Sequence, residues 1–245
     1  MTTPPAAGRD MQRRDAVRGL SALAIATPTI GACAGDADTG DAGDEATDAE
    51  ATDGAGVCVL FPEQTAGPFY FDPELLRSDL TEVKPGIPLR LRVRVLEAGD
   101  CTPIIDAAVD VWHTDALGWY SGYAGQGDEG DEDTSGQTFL RGIQSTDREG
   151  FAEFHTIYPG WYPGRTTHIH VKVHIGDTTV ATAQLYFPDD VSSVVYAQAP
   201  YDARGSKPVA NDSDGIFAGA GGAQAMLELV RQDAGYLATI EMVVA

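Results

Sequence analysis

The sequence predicts an all-β protein of the sandwich class with little helix. Past Pro62 the chain consists of short runs rich in β-branched residues, and clusters of turn-forming residues separate these runs. One run, Leu89 to Val95 (LRLRVRV), alternates apolar and basic residues with the two-residue period of a half-buried strand. Turn clusters such as Asp147 to Gly150 (DREG) and Tyr158 to Gly164 (YPGWYPG) mark where strands must end.

The same criteria predict the individual elements. The candidate strands are Leu89 to Val95, Ala107 to Trp112, Thr138 to Ile143, Phe151 to Thr156, His168 to Ile175, Val180 to Phe187 and Tyr236 to Val244. One helix is predicted at Gly222 to Arg231, because Met226, Leu227 and Val230 are spaced three and four residues apart. Residues 57–245 are therefore expected to form one folded domain.

Residues 1–32 predict an export signal. Arg13 and Arg14 form a pair of the twin-arginine type, and an apolar run from Gly19 to Ile30 follows them. The sequence from Ile30 to Cys33 (IGAC) is typical of a lipobox, which predicts a lipid on Cys33 and membrane contact through that lipid alone. A signal of the general secretory type is the alternative, and either one predicts an exported protein.

Acidic residues dominate two segments and give the chain a formal net charge of -21. Residues 33–56 consist almost wholly of Ala, Gly, Asp, Thr and Glu, so we expect an acidic, flexible linker. A second acidic segment, Gly127 to Asp133 (GDEGDED), lies inside the folded part. This charge argues against nucleic acid as a partner and weakly favours neutral over anionic small molecules.

The cysteines fit an exported protein. With Cys33 assigned to the lipid, Cys58 and Cys101 remain. Two cysteines in an exported domain more often pair than stay free, so one disulfide is predicted between them.

A histidine pair is the first candidate for chemistry. In THIHVKVH, strand alternation places His168 and His170 on one face, about 7 Å apart along the strand, so both imidazoles can reach one metal ion. The structural alternative is two half-buried histidines satisfied by hydrogen bonds. His174 continues the same face but is too far along the strand to join.

The residues alone leave the remaining ligands open. His113 and Asp115 (HTD) match the short motif of a ferrous or zinc site, or else Asp115 caps the turn after a strand. Tyr120 and Tyr162 lie in turns at strand ends, where a phenol could approach the same ion. Tyr162 could equally be a structural corner tyrosine, and Tyr120 an aromatic residue of an exposed loop.

Four segments together resemble the intradiol ring-cleavage dioxygenase family. In chain order they are Trp112 to Tyr123 (WHTDALGWYSGY), Phe139 to Gly150 (FLRGIQSTDREG), Tyr158 to His170 (YPGWYPGRTTHIH) and Gln184 to Pro188 (QLYFP). The resemblance extends over roughly Pro62 to Pro188 and implies the β-sandwich core of that family with long active-site loops. The turn after Tyr162 is shorter than in protocatechuate dioxygenases, which leaves the pocket shape open.

By position, the resemblance implies that Tyr120, Tyr162, His168 and His170 hold a ferric ion, Fe(III). It further implies a catechol-type substrate and dioxygen, with ring cleavage between the two hydroxylated carbons. Tyr162 matches the ligand that leaves the metal and takes a substrate proton.

The resemblance also assigns two residues that do not bind the metal. Arg165 would stabilise negative charge on the reacting substrate, and Gln184 would orient it by hydrogen bonding. Family members commonly associate, so a homo-oligomer is a further expectation. The stretch from Ser145 to Tyr162 also resembles transthyretin-like surface modules, so a binding module without metal is the rival interpretation.

Overall fold

The computed structural model describes residues 58–207 and 209–245, and the fold is a sandwich of two four-stranded β-sheets. This confirms the predicted fold class. The predicted export signal at residues 1–32 and the acidic linker at residues 33–56 lie outside the described residues.

Ten strands and two short α-helices form the described part. The strands are β1 Pro88–Glu97, β2 Ala108–Trp112, β3 Ala124–Gln126, β4 Glu132–Asp133, β5 Arg141–Ser145, β6 Phe151–Ile157, β7 His168–Ile175, β8 Thr178–Tyr186, β9 Glu228–Arg231 and β10 Tyr236–Val244. The helices are α1 Asp189–Tyr196 and α2 Gly215–Gly219, with 3-10 turns at Tyr201–Arg204, Asn211–Ser213 and Gly222–Ala225. None of the helices in these described ranges has the length and hydrophobicity of a membrane span.

The first sheet has the strand order β6-β1-β10-β9, and the second has the order β5-β2-β7-β8. Strands β1 and β10 run parallel, whereas β2 pairs antiparallel with both β5 and β7. The small hairpin of β3 and β4 lies in the long loop between β2 and β5.

The core lies between the two sheets and follows from strand alternation. Every second residue of β1 from Leu89 to Val95 is buried, while the arginines between them lie on the outer face. From the second sheet, Val111 of β2 and Val171 of β7 are fully buried in the same cluster. Burial of these apolar side chains is the main free-energy gain that joins the sheets.

Strand β7 uses its two faces differently. Ile169, Val171 and Val173 point into the core and are fully buried. His168 and His170 lie on the opposite, outer face of the sheet, as their spacing predicts. They are nevertheless only 3% and 2% exposed, because loops cover this face.

The predicted helix at Gly222 to Arg231 is wrong. The segment begins with a 3-10 turn at Gly222–Ala225 and continues as strand β9, which pairs antiparallel with β10. Leu227 is buried and donates its backbone N–H to the Tyr186 carbonyl, so it faces the sheet rather than one side of a helix. The spacing of Met226, Leu227 and Val230 alone does not distinguish the two periods, and the adjacent glycines disfavour a helix.

One strand start and one helix also differ from the prediction. The strand expected at Thr138 to Ile143 begins at Arg141, because Leu140 has a φ of 58° and interrupts extended backbone before it. Helix α1 was not predicted; it follows β8 directly after Pro188 and is too short for its period to be recognised.

Cys58 and Cys101 form the predicted disulfide, with their Cα atoms 5.7 Å apart. The bond ties the first described residue to the turn that follows β1. It closes a loop that contains β1 and the segment before it.

Candidate metal centre

Four side chains from three parts of the chain meet on the outer face of the second sheet. The Nε2 atoms of His168 and His170 lie 3.2 Å apart. The phenol oxygen of Tyr120 lies 3.4 Å from the His168 Nε2, and that of Tyr162 lies 3.3 Å from it. The structure thus brings together all four residues proposed as ligands.

Neighbouring strands and a glycine fix His170. Trp112 is its pairing partner on β2, and the two rings stack with centroids 4.8 Å apart and planes 3° from parallel. On the other side, the backbone of Gly67 approaches so closely that an added Cβ would lie 3.3 Å from the imidazole Cε1. The φ of Gly67 is +67°, a conformation that glycine adopts without strain.

Hydrogen bonding sets the tautomer of His168. Its Nδ1 lies 2.7 Å from the Thr166 carbonyl, which can only accept, so Nδ1 carries the proton and Nε2 presents a lone pair. Burial lowers the pKa of His168 to about 3 and that of His170 well below its usual value. Both rings are therefore neutral, the form in which imidazole binds a metal.

The two tyrosines differ in how firmly they are held. Tyr120 is 1% exposed, its ring stacks on Phe69 at 4.7 Å, and its backbone N–H donates to the Gln126 side chain. Tyr162 is half-buried in the turn before β7. Burial raises the pKa of both phenols, so the protein by itself keeps their protons on.

The donor set fits a metal ion. Metal-ligand bonds of about 2.0–2.1 Å would place neighbouring ligand atoms about 2.9–3.4 Å apart around the ion, which matches the observed spacings. In the described residues no cluster of three or more His, Cys, Asp or Glu side chains forms a metal site. The donors that lie beside the two imidazoles are the phenol oxygens of Tyr120 and Tyr162. A bound cation would also favour the phenolate form that burial opposes.

His113 and Asp115 do not contribute to this centre. The His113 ring is fully buried, and its nitrogens contact the Thr114 carbonyl at 2.8 Å and the Thr156 hydroxyl at 2.7 Å. Asp115 accepts from the backbone N–H groups of its own turn and from Lys84. These are the contacts of the structural alternative, in which Asp115 caps a turn.

Arg165 and Gln184 adjoin the four donors. Gln184 pairs with His170 across β7 and β8 and is completely buried, so it does not face solvent. Arg165 donates from Nη2 to the Gln184 side-chain oxygen at 2.5 Å and from Nη1 to the Tyr162 oxygen at 3.4 Å. A guanidinium is therefore held at the edge of the proposed centre.

Asp214 is a site residue that the sequence reasoning missed. Its fully buried carboxylate accepts from Arg165 Nε at 2.8 Å and from the Thr166 N–H at 2.8 Å. Its other oxygen caps α2 by accepting from Ile216 and Phe217. Burial acts to raise the pKa of Asp214, but the hydrogen bonds from Thr166 and Arg165 outweigh it and lower the pKa.

Arg141 is a second residue that was missed. It is 1% exposed and donates to the carbonyls of Phe69 and Ser121, each at 2.8 Å. These bonds join the segment that stacks on Tyr120 to the loop that carries Tyr120. Burial lowers the pKa of Arg141 to about 10, so the side chain remains a cation at neutral pH.

Comparisons with known proteins agree with this fold. Residues 65–201 match the family described as Dioxygenase. The chain is 35% identical over 131 residues to the protocatechuate 3,4-dioxygenase beta chain of Burkholderia cepacia, an alignment that covers 47% of this chain and 53% of the relative. The chain thus spans about half the length of that curated relative.

Two solved structures extend the comparison. An intradiol ring-cleavage dioxygenase from Tetranychus urticae superposes with a TM-score of 0.70 at 30% identity, covering 76% of this chain and 94% of its own. The dioxygenase domain of a dioxygenase and carbohydrate-binding fusion from Streptomyces sp. SirexAA-E gives 0.55 at 28% identity, covering 76% and 97%. The chain belongs to the intradiol dioxygenase family.

The buried carboxylate of Asp214 should make a pH-dependent contribution to stability. We expect Asp214→Asn to lower the free energy of unfolding by about 1.5–3 kcal/mol at neutral pH, because charged hydrogen bonds are lost. Folding lowers the pKa of Asp214. The stability that this group contributes is therefore fully present above pH 3.8, its ordinary pKa, and is lost as the pH falls through the pKa of the folded protein. The difference between the two proteins should therefore shrink in acid.

Urea unfolding at several pH values measures this difference. Asp212→Asn, at an exposed position in the same segment, is the matched control and should change stability by no more than about 0.5 kcal/mol. An Asp214→Asn effect that stayed constant down to pH values well below 3.8 would contradict the assignment.

Proposed function

We propose that this protein is an Fe(III)-dependent dioxygenase that opens a catechol ring between its two hydroxylated carbons. Both atoms of dioxygen enter the product, a muconate-type dicarboxylic acid. The observation that carries the proposal is the meeting of two phenols and two imidazoles in a chain of this family. The relative and neighbours named above, dioxygenases by their own descriptions, support it.

The donor types favour ferric iron. Phenolate oxygen is a hard, anionic ligand, and two of them stabilise a highly charged hard ion over a ferrous one. Bound by Tyr120, Tyr162, His168 and His170, the iron would act as a Lewis acid that draws electron density from the substrate oxygens and makes the ring reactive towards dioxygen.

The two tyrosines are proposed to have different roles. Tyr120 is stacked on Phe69 and fully enclosed, so it is suited to remain a ligand throughout. Tyr162 is half-buried in a turn, and its oxygen makes only long contacts, at 3.3 Å with His168 and 3.4 Å with Arg165. Its oxygen is therefore the one that can leave the centre and accept a proton from an incoming catechol hydroxyl.

Arg165 and Gln184 are proposed to act on the substrate. The Arg165 guanidinium is fixed by Asp214 on one side and Gln184 on the other, so it needs no reorientation as negative charge develops. The Gln184 amide is itself held by donating to the Thr65 carbonyl at 2.9 Å. A preorganised cation in a site largely closed to water stabilises such charge far better than water does.

Absorption in the visible range tests the centre. The purified protein should contain one iron per chain and show a red-brown phenolate-to-iron band, and it should consume oxygen when catechol is added. Tyr120→Phe should bleach or shift this band, because one of the two phenolates is lost.

Tyr123→Phe is the matched control. Tyr123 is in the same loop and its ring lies 5.3 Å from Phe69, but its hydroxyl donates to the Tyr70 carbonyl instead of joining the centre. Protein that stays colourless and metal-free when iron is supplied, and that does not react with catechol, would refute the proposed function and favour a binding module without metal.

Replacement of Arg165 tests its electrostatic role. We expect Arg165→Ala to lower kcat on the order of a hundredfold, with unchanged iron content, because the developing charge loses its cation. Arg148→Ala removes an exposed arginine from the turn before β6 and should leave kcat unchanged. Full turnover by Arg165→Ala would show that the guanidinium has no such role.

We also propose that the protein is exported and anchored by a lipid on Cys33. The disulfide between Cys58 and Cys101 supports this, since disulfides persist mainly in oxidising compartments outside the cytoplasm. Association into a homo-oligomer stays a prediction.

Cell fractionation tests the export proposal. Cys33→Ser should move the protein from the membrane to the soluble fraction, because the acylated thiol is lost. Replacement of Arg13 and Arg14 by lysine should retain it in the cytoplasm, whereas Arg9→Lys should not. Membrane association of Cys33→Ser equal to that of the wild type would exclude the lipid anchor.

A further inference from the structure

A small cavity opens directly beside the two tyrosines. Its volume is about 100 Å³, and its lining includes Phe69, Tyr120, Tyr162, Asp128 and Arg204. Because an engineered protein cavity of about 150 Å³ binds benzene, a space of this size holds one aromatic ring at most. A substituent on that ring must therefore extend into the open mouth of the cavity.

Arg204 is the one cationic side chain among the described residues that line the cavity. Its side chain is 11% exposed, and its guanidinium lies 4.3 Å from the centre of the Trp161 ring. Nη1 donates to the Leu117 carbonyl at 2.5 Å, which fixes the group in place. The remaining outward nitrogen, Nη2, is the one available to an anion.

The Asp128 carboxylate accepts a hydrogen bond from that nitrogen. Its Oδ1 lies 2.5 Å from Arg204 Nη2, although the aspartate side chain is 55% exposed. Asp128 is the first acidic residue of the segment at residues 127–133, and four further carboxylates follow it on the chain. The cation is thus neutralised. Asp131 and Glu132 of the same segment lie next to Gly127, which lines the cavity, so negative charge adjoins this space.

We infer that the Asp128 and Arg204 pair determines substrate specificity by rejecting catechols that carry an anionic substituent. A ring bearing a carboxylate would have to place it at the mouth, against the acidic segment and without a free cation. Neutral catechols meet no such penalty. This inference rests on the proposed function and identifies neutral catechols as its substrate class.

Anaerobic calorimetry on the iron-loaded protein tests the inference, since a bound catechol is then not cleaved. The wild type should bind catechol more tightly than 3,4-dihydroxybenzoate. Asp128→Asn should strengthen binding of 3,4-dihydroxybenzoate by roughly fivefold or more and leave catechol within about twofold, because Arg204 gains a free donor for a carboxylate.

Two further variants test whether the change in affinity depends on the Asp128 and Arg204 pair. Glu129→Gln removes the same charge from an exposed neighbour that does not line the cavity, and it should change both affinities by less than about twofold. Adding Arg204→Gln to Asp128→Asn should abolish the gain, and a melting temperature within a few degrees of the wild type would confirm that the double variant is folded.

The outcomes separate this inference from the proposed function. Equal effects of Asp128→Asn and Glu129→Gln would overturn the role of the pair and leave only the general charge of the segment. Tighter wild-type binding of 3,4-dihydroxybenzoate than of catechol would also overturn it. Absence of oxygen consumption with every catechol would refute the proposed function, whereas the binding preference would still decide the role of the pair.

Discussion

The two-residue period of β7 is the constraint on which the site depends. It places Ile169, Val171 and Val173 in the core and, with no additional structure, turns His168 and His170 to the outer face. Such a face normally meets water, but loops cover it here, and both imidazoles are buried. Packing that joins the sheets thus also fixes the separation and direction of the two histidines.

Burial keeps the four side chains of the proposed centre in their neutral forms. Imidazoles and phenols removed from water stay neutral. Their polar atoms lie 3.2–3.4 Å from one another, and together they can form few hydrogen bonds. A cation at the point where they meet would replace the lost hydration and take up both nitrogen lone pairs. Metal binding at this site should therefore contribute to folding stability, because the unfolded chain does not offer the assembled donors.

The sequence predicted what local periodicity and motif order can encode. Seven of the ten described strands and the shared face of His168 and His170 follow from alternation, whereas β3, β4 and β9 were not predicted. The proposed ligand tyrosines follow from the order of segments that resemble one family. Asp214 could be recognised only as a helix cap, because its contact with Arg165 joins residues 49 positions apart. Arg141 lies in a predicted strand, yet its 72-residue contact with Phe69 depends on the fold. The spacing of apolar residues predicted a helix at Gly222 to Arg231, but the second part of this segment pairs with β10 and forms strand β9.

The two tyrosines are buried to different extents, so the proposed centre has an enclosed side and a more exposed side. Tyr120 is held on the enclosed side, where Arg141 joins its loop to the Phe69 segment. Both tyrosines line the cavity, but Tyr162 is half-buried in a turn, so it is the donor with more freedom to move. If the substrate binds in this cavity as proposed, its substituents lie near Asp128 and Arg204, which line the same space. Charge at the mouth can therefore select substrates without altering the residues that carry out the chemistry.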